Sequence, residues 1–455
     1  ARGIGQVVVG RDGRLSGPAL ARALSAGLCA AGVDVIDIGM VPTPLVYFAT
    51  VLTGSGTGVA VTGSHNPPEY NGLKMMLGGA TLHGEDIRDI AATLADPARY
   101  AALFAATPGT VRTRDVVPDY IARIAGEVKL ARPLKVVVDA GNGVAGAVAP
   151  ALLRALGITD LTELYCEVDG HFPNHHPDPA HPENLRDLIR EVQARHADIG
   201  LAFDGDGDRL GVVTRNGQMI FPDRQLMLYA ADVLEKNPGA TIIYDVKCTR
   251  NLAPWIRARG GEPLMWCTGH SLVKAKMKET GAKLAGEMSG HIFFNDRWYG
   301  FDDGLYTAAR LLEILARVPD PGALLEGLPD ASSTPELQVP LAEGENAALV
   351  QALRERGRLA RNAPHLFKTQ PSSSRARSGG PLPTTPSVCG CMTGSRASSA
   401  SAIPGICRRP RRASACRACV TTRWAPASAT TMASSTTRAW PCAWRCRSWT
   451  TAGPC

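Results

Sequence analysis

Ile199-Gly-Leu-Ala-Phe-Asp-Gly-Asp-Gly-Asp-Arg209 sets an unbroken apolar run directly against three carboxylates that alternate with glycines. A short apolar run bounded by a turn is the mark of a buried strand, so the acids sit where a strand surfaces. The same transition occurs twice more. Val59-Ala-Val61 enters Thr62-Gly-Ser-His-Asn-Pro-Pro68, and Lys283-Leu-Ala285 enters Gly286-Glu-Met-Ser-Gly-His291. Each is preceded, some 40 to 63 residues upstream, by an opening strand: Val7-Val-Val9, Val136-Val-Val138 and Ile242-Ile-Tyr244. Helical patterns at Gly17–Ala30, Pro182–Arg195 and Ser271–Gly281 lie between. Strand, helix, strand at this spacing reads as a mixed α/β unit, and three in series read as a triplicated domain. The fold class expected is therefore α/β, with three tandem similar mixed α/β domains over 1–110, 111–217 and 218–330. A remaining region covers 331–455.

The formal charge of +7 hides two different chains. Residues 356–455 contain no Asp or Glu but 15 Arg and one Lys, whereas residues 1–355 hold 33 basic against 42 acidic residues, a formal −9. The basic stretch also carries 8 of the 12 cysteines and 4 of the 7 tryptophans. A disordered arm is poor in Trp and Cys, and the spacing of Cys389, Cys391, Cys416 and Cys419 matches no common zinc site. Arg, Ala, Ser, Pro, Cys and Trp without acids are what GC-rich codons spell out of frame. A frameshift near residue 360 is the reading we expect for this segment, which leaves 331–455 as the remnant of a fourth domain. Nucleic acid and membranes are not expected as partners, because the acidic body argues against the first and no apolar span of 18 residues supports the second. The four body cysteines, Cys29, Cys166, Cys248 and Cys267, form no close pair. A cytoplasmic monomer is expected.

The loops carry the chemistry. Ser64 is raised on a turn that the double proline stiffens, and an exposed, rigidly placed hydroxyl at a strand end suits covalent catalysis. In the second loop, Asp204, Asp206 and Asp208 offer hard anionic oxygens for a divalent ion such as Mg²⁺. An EF-hand is excluded, since its sixth and twelfth positions would be Gly and Glu and are Arg209 and Arg215. Arg209 adds a fork of donors suited to phosphate. In the third loop, Glu287 and Ser289 suit sugar hydroxyls, and His291 suits proton movement near neutral pH. The histidines at 171, 175, 176 and 181 are interrupted by prolines, which argues against a zinc site.

Together with Gly10-Arg-Asp-Gly-Arg-Leu-Ser-Gly17, these loops resemble the α-D-phosphohexomutases, and among them the bacterial phosphomannomutase/phosphoglucomutase group. The resemblance runs from about Gly10 to about Pro335. It implies three similar α/β domains and a smaller fourth around one cleft. It further implies that Ser64 is the phosphoserine and, with Asp204, Asp206 and Asp208, a ligand of Mg²⁺. Lys74, Arg209 and His291 become catalytic residues, with Lys74 or His291 as proton carrier. His65, Lys247, Gly269, His270, Glu287 and Ser289 become substrate contacts. The substrates implied are hexose phosphates, interconverted between their 1- and 6-phosphates through a hexose 1,6-bisphosphate that also serves as activator. The family's opening segment, with a Tyr and an Arg, and its phosphate-clamping Arg-x-Ser-Asn/Gly-Thr loop have no counterpart in this sequence. Slow turnover is expected on that account.

Three rivals stand beside this reading. Met288 favours glucose and mannose phosphates over the amino sugars of phosphoglucosamine mutase. An inactive sugar-phosphate-binding product of a frameshifted gene is the second. A haloacid-dehalogenase-type phosphatase, with Asp204 as nucleophile, is the third, and it leaves Ser64 without a role.

Overall fold

A computed structural model describes residues 3–331 together with residues 345, 348, 349, 351 and 352 of a helical stretch. The segment from about residue 360 onward, where the frameshift is expected, lies outside the described residues.

Three sheets share one strand order. In the first, Leu73–Leu77, Gly58–Val61, Gln6–Arg11 and Asp34–Met40 are neighbours in that sequence, flanked by Ala80–Thr81 and Val111–Thr113. In the second, the equivalents are Leu210–Thr214, Ile199–Phe203, Lys135–Asp139 and Asp160–Leu164, and in the third Ile292–Phe294, Leu284–Gly286, Thr241–Asp245 and Glu262–Trp266. Each time the opening strand is central and parallel to the loop-bearing strand, which then pairs antiparallel with the next. The three candidate loops are thus one topological position repeated: the hairpin at the carboxyl end of the third parallel strand. Ligands bind outside the carboxyl ends of such strands. The first sheet extends to Val111–Thr113, which pairs with Asp34–Met40, and the next helix is Val117–Glu127.

Alternation of side chains across the strands makes each sheet two-faced. Val7 and Val9 pack with Ala21, Leu20 and Leu24 of the helix Gly17–Ala30, while Val8 and Ile36 face Leu45 and Val46 of the helix Thr43–Leu52. The second sheet sets Val137 and Ala202 on Leu188 and Val192, and the third sets Ile243 and Phe293 on Val273 and Met277. The opposite faces of all three sheets merge into one continuous apolar cluster from Val8 to Leu328. Thr43–Leu52 is central to it. Its residues Thr43 to Thr50 are all buried, and Phe48 stacks on Trp298 with ring centroids 5.9 Å apart. Its first residue also reaches the acidic loop, with Thr43 N donating to Asp206 O at 2.9 Å and its hydroxyl to Asp206 Oδ2 at 2.5 Å.

The helices expected at Gly17–Ala30, Pro182–Arg195 and Ser271–Gly281 are Gly17–Ala30, a 3-10 turn Pro182–Leu185 leading into Arg186–Arg195, and His270–Thr280. Gly281 closes the last in a left-handed conformation, the geometry for which glycine is favoured at a helix end.

Candidate active site

The first two hairpin loops meet at a hydrogen bond. Ser64 Oγ donates to Asp204 Oδ2 at 3.1 Å, although 140 residues separate them. Sequence reasoning expected an exposed hydroxyl; Ser64 is instead buried, only 8% exposed. The cause is the approach of the two loops. A side chain on Gly205 would place its Cβ 2.3 Å from the Ser64 carbonyl oxygen, so only glycine admits the contact. Ser64 sits at φ +49°, a left-handed conformation that non-glycine residues seldom adopt. Its backbone N–H donates to Thr62 Oγ1 at 2.8 Å, and the Thr62 hydroxyl donates to Asp12 Oδ2 at 2.8 Å.

Asp204, Asp206 and Asp208 are fully buried, with ligand oxygens within 4.8 Å of one another. Burial and the neighbouring Asp208 and Asp206 push Asp204 well above the usual carboxylate range. For Asp208, burial is outweighed by the Lys74 and His291 cations, which hold it well below that range. Three acids so close call for positive charge, and Lys74 supplies part of it, donating to Asp206 Oδ2 at 2.8 Å and Asp208 Oδ2 at 2.5 Å. Burial works against the Lys74 charge, yet Asp206 and Asp208 hold the ammonium well above the ordinary lysine range. Asp206 Oδ1 is buried and accepts no hydrogen bond among the described residues. An unsatisfied buried anionic oxygen beside two other carboxylates fits a hard divalent cation.

The third loop closes on the second. Arg209 and His291 form an antiparallel bridge, with Arg209 Nε 3.3 Å from His291 Nε2. His291 Nε2 lies 3.3 Å from Asp208 Oδ1, and its Nδ1 lies 2.8 Å from Ser289 Oγ and 3.3 Å from Glu287 Oε2. Burial would lower the imidazole, but Asp208 and then Glu287 more than offset it and raise His291 to about 9. Gly269 N donates to Glu287 Oε1, which ties the turn before the helix His270–Thr280 to this loop. His270 stacks on His291 with centroids 5.6 Å apart, and burial and Lys274 hold it well below the usual histidine range. Lys247 is half-buried just beyond the strand Thr241–Asp245. His65, next to Ser64, donates from Nδ1 to Asp178 Oδ2 at 2.8 Å.

Ser64, Lys74, the three aspartates, Arg209, Glu287, Ser289, His291, Gly269 and His270 therefore form one connected set. Sequence reasoning overlooked several residues that hold it together. Arg14 binds the Ser64 loop, Thr43 binds Asp206, and Asp178 binds His65. Asp302 is fully buried, accepts from Lys274 Nζ at 2.8 Å and comes close enough to Asp208 and His291 to form a second potential cation cluster. Gly10-Arg-Asp-Gly-Arg14 announced Arg14, and the paired acids Asp302-Asp303 after an aromatic-rich turn were a signal not used. The histidines set aside as zinc ligands serve other ends. His175 pairs with Asp139 at 3.0 Å, His176 contacts the His65 carbonyl, and neither belongs to a candidate metal cluster among the described residues.

Comparison with known proteins agrees with this arrangement. Family profiles of phosphoglucomutase/phosphomannomutase α/β/α domains I, II and III match residues 1–100, 118–217 and 221–331. A phosphoglucomutase of Neisseria gonorrhoeae is 56% identical over 345 residues, 76% of this chain and 74% of the relative. A phosphomannomutase/phosphoglucomutase of Pseudomonas aeruginosa is 54% identical over 355 residues, 78% of this chain and 75% of the relative. The crystal structure of a phosphoglucomutase/phosphomannomutase family protein from Burkholderia thailandensis superposes with a TM-score of 0.72 at 61% identity, covering 78% of this chain and 77% of the other. With three repeated sheets, three loops converging on one acidic cluster, and these similarities, the chain belongs to the phosphoglucomutase/phosphomannomutase family.

Proposed function

We propose that this protein interconverts the 1- and 6-phosphates of glucose and mannose, using Ser64 as a covalent phosphate carrier and a hexose 1,6-bisphosphate as the intermediate. The observation that carries the reading is the 3.1 Å bond from Ser64 Oγ to Asp204, at the edge of a buried carboxylate cluster with an unsatisfied oxygen. A phosphate ester on Ser64 would lie where a cation held by Asp204, Asp206 and Asp208 is also within reach. When bound, Mg²⁺ supplies charge neutralisation at the transferring phosphoryl group.

In the forward half-reaction the bond between phosphorus and Ser64 Oγ breaks, and a bond forms from phosphorus to a hydroxyl oxygen of the hexose monophosphate. The hydroxyl proton leaves to a carrier and Ser64 Oγ regains one. In the second half, the bisphosphate presents its other phosphate, whose ester bond breaks as a bond forms from phosphorus to Ser64 Oγ, and the Ser64 proton passes through the carrier to the released sugar oxygen. Such transfer needs little from the protein beyond positioning and charge stabilisation. Arg209, poised 3.7 Å from Asp204, offers a guanidinium to the phosphoryl oxygens. Lys74 and His291 both hold a proton at neutral pH in this arrangement, so either can return one to Ser64 Oγ. Glu287 and Ser289, both beside His291 Nδ1, are suited to sugar hydroxyls, while His65, Lys247 and the Gly269-His270 turn complete the substrate contacts.

The test is the chemical nature of the phosphoenzyme. Label from ³²P-glucose 1,6-bisphosphate should appear on Ser64 and withstand hydroxylamine. A hydroxylamine-labile acyl phosphate on Asp204 would overturn this reading in favour of a phosphatase-type mechanism.

A further inference from the structure

We infer that Arg14 is the positioning residue of the Ser64 loop, holding the hydroxyl at the carboxylate cluster through the loop's own carbonyl groups. The inference rests on Ser64 as the phosphate acceptor. Arg14 is 1% exposed, and all five of its side-chain N–H donors are matched by acceptors. Nε donates to Asp12 Oδ2 at 3.2 Å. Nη1 donates to the carbonyls of Pro67 at 2.5 Å and Tyr70 at 2.9 Å, and Nη2 to those of Ser64 at 2.8 Å and Asn66 at 2.6 Å. Phe172 covers the guanidinium, its ring centroid 5.3 Å from Cζ.

A buried cation is costly unless fully paired, and most of its partners here are dipoles of a single loop. The loop needs such a centre. Pro67 and Pro68 have no N–H to contribute, so the segment carries more acceptors than donors. Ser64 is also held in a left-handed conformation, which persists only where the surroundings over-determine it. Arg14 fixes the carbonyl side of Ser64, while Asp12 fixes the other side by accepting from Gly63 N at 3.2 Å and from the Thr62 hydroxyl. The fit explains Gly63, where a Cβ would come 2.5 Å from Arg14 Cζ. None of these contacts uses Ser64 Oγ, so Arg14 can hold the loop equally with the hydroxyl free or esterified. A lysine would offer donors from one point and could not span four carbonyls.

The full chain carrying Arg14→Lys, or Gly63→Ala, whose Cβ would come 2.5 Å from Arg14 Cζ and displace the guanidinium from the loop, tests the inference. The readouts are labelling of Ser64 from ³²P-glucose 1,6-bisphosphate and hydrogen exchange. In each variant the labelling rate should fall, by roughly 100-fold for Arg14→Lys as expected for a nucleophile misplaced by about 1 Å, with KM for the bisphosphate little changed. Exchange should rise over 62–72 and stay unchanged over 204–209. A folded Arg14→Lys protein with wild-type labelling rate and exchange overturns the inference. Should Arg14→Lys not fold, Gly63→Ala decides, and wild-type values for both readouts overturn it. Absence of label on the wild-type chain would overturn the phosphoserine reading instead, and the exchange comparison would then judge Arg14 alone.

Discussion

The loop from Thr62 to Gly72 and the loop from Asp204 to Arg209 leave equivalent strands of equivalent sheets, yet they are held by different means. The first is long, rich in proline and organised from outside, by a guanidinium that collects its carbonyls. The second is short and adds a scaffold of its own to the backbone bonds it shares with Thr43, Val144, Pro177 and Gly304. Asp204 Oδ1 accepts from the backbone N–H of both Asp208 and Arg209 at 3.1 Å, and Gly207, at φ +76°, lets the chain turn tightly enough to do so. The difference suits the proposed function. A loop that carries a covalent group needs a clamp that leaves its side chain free, whereas a loop whose side chains hold a cation can use its own backbone as scaffold.

The largest effect that separates the loops is Ser64→Ala. It should abolish covalent labelling and reduce turnover to background, while leaving the Mg²⁺ affinity of the unphosphorylated protein close to wild type, because the hydroxyl removed is neutral and the three anionic aspartates remain. The stability loss should be about 0.5–1.5 kcal/mol, the usual worth of one hydrogen bond. Undiminished label at the normal stoichiometry, measured by ³²P incorporation, would move the nucleophile elsewhere.

Asp206→Asn addresses the other loop. Removing one of three anions should raise the Mg²⁺ concentration for half-maximal activity by at least the roughly 10–100-fold typical of losing a group one shell further out. Labelling of Ser64 should remain possible at saturating Mg²⁺. An unchanged Mg²⁺ titration and unchanged EDTA sensitivity would remove Asp206 from the cation site.

The acidic loop was the more legible in the sequence. Asp204-Gly-Asp-Gly-Asp displays a candidate cation site in its residue types, and part of its scaffold is local. Ser64 was legible as a candidate nucleophile because Gly63, Pro67 and Pro68 mark a stiff turn, but its burial was not, since it depends on Gly205 some 140 residues away. The triplicate architecture could be read from valine runs ending in glycine-bearing loops. The strands Asp34–Met40, Asp160–Leu164 and Glu262–Trp266, at the far side of each opening strand, were not singled out. Their apolar residues are interrupted by Asp37, Glu163 and Pro263, and their pairing is a long-range event. Asp302 and Lys274 were hidden for the same reason: each reads as an ordinary charged residue until Tyr47 and Asp208 are brought against them.

Where the two loops touch, Gly205→Ala should damage both. Its Cβ would sit 2.3 Å from the Ser64 carbonyl oxygen, a backbone atom that cannot swing aside. Overpacking of this kind costs about 1–3 kcal/mol, and the forced separation of Ser64 from Asp204 should slow labelling by roughly tenfold or more. Gly126→Ala is the matched control, since nothing lies within 4 Å of its added Cβ and it occupies the helix Val117–Glu127. That variant should be as stable as wild type or up to about 1 kcal/mol more so. Equal urea midpoints for the two variants would show that the loops do not constrain each other.

The smallest effect concerns the scaffold behind each loop. Asp12 follows and Asp139 ends equivalent opening strands, but Asp12 is paired with the guanidinium of Arg14, whereas Asp139 is paired with the imidazole of His175 at 3.0 Å. Burial would lower His175, and the bond and charge of Asp139 overcome this, so its pKa is raised above the ordinary histidine value of 6.5. Between 6.5 and the raised value the folded protein holds a proton that the unfolded chain has lost, so stability falls as pH rises through that window. The contribution is fully present below 6.5. His175→Asn should flatten this part of the stability profile, since it removes the titrating partner of a buried carboxylate. Urea unfolding of wild type and variant from pH 5.5 to 8.5 measures it. The difference in stability between the two proteins should shrink as pH rises. A difference that stays constant or grows with pH would show that the Asp139–His175 pair does not hold the second scaffold as Asp12–Arg14 holds the first.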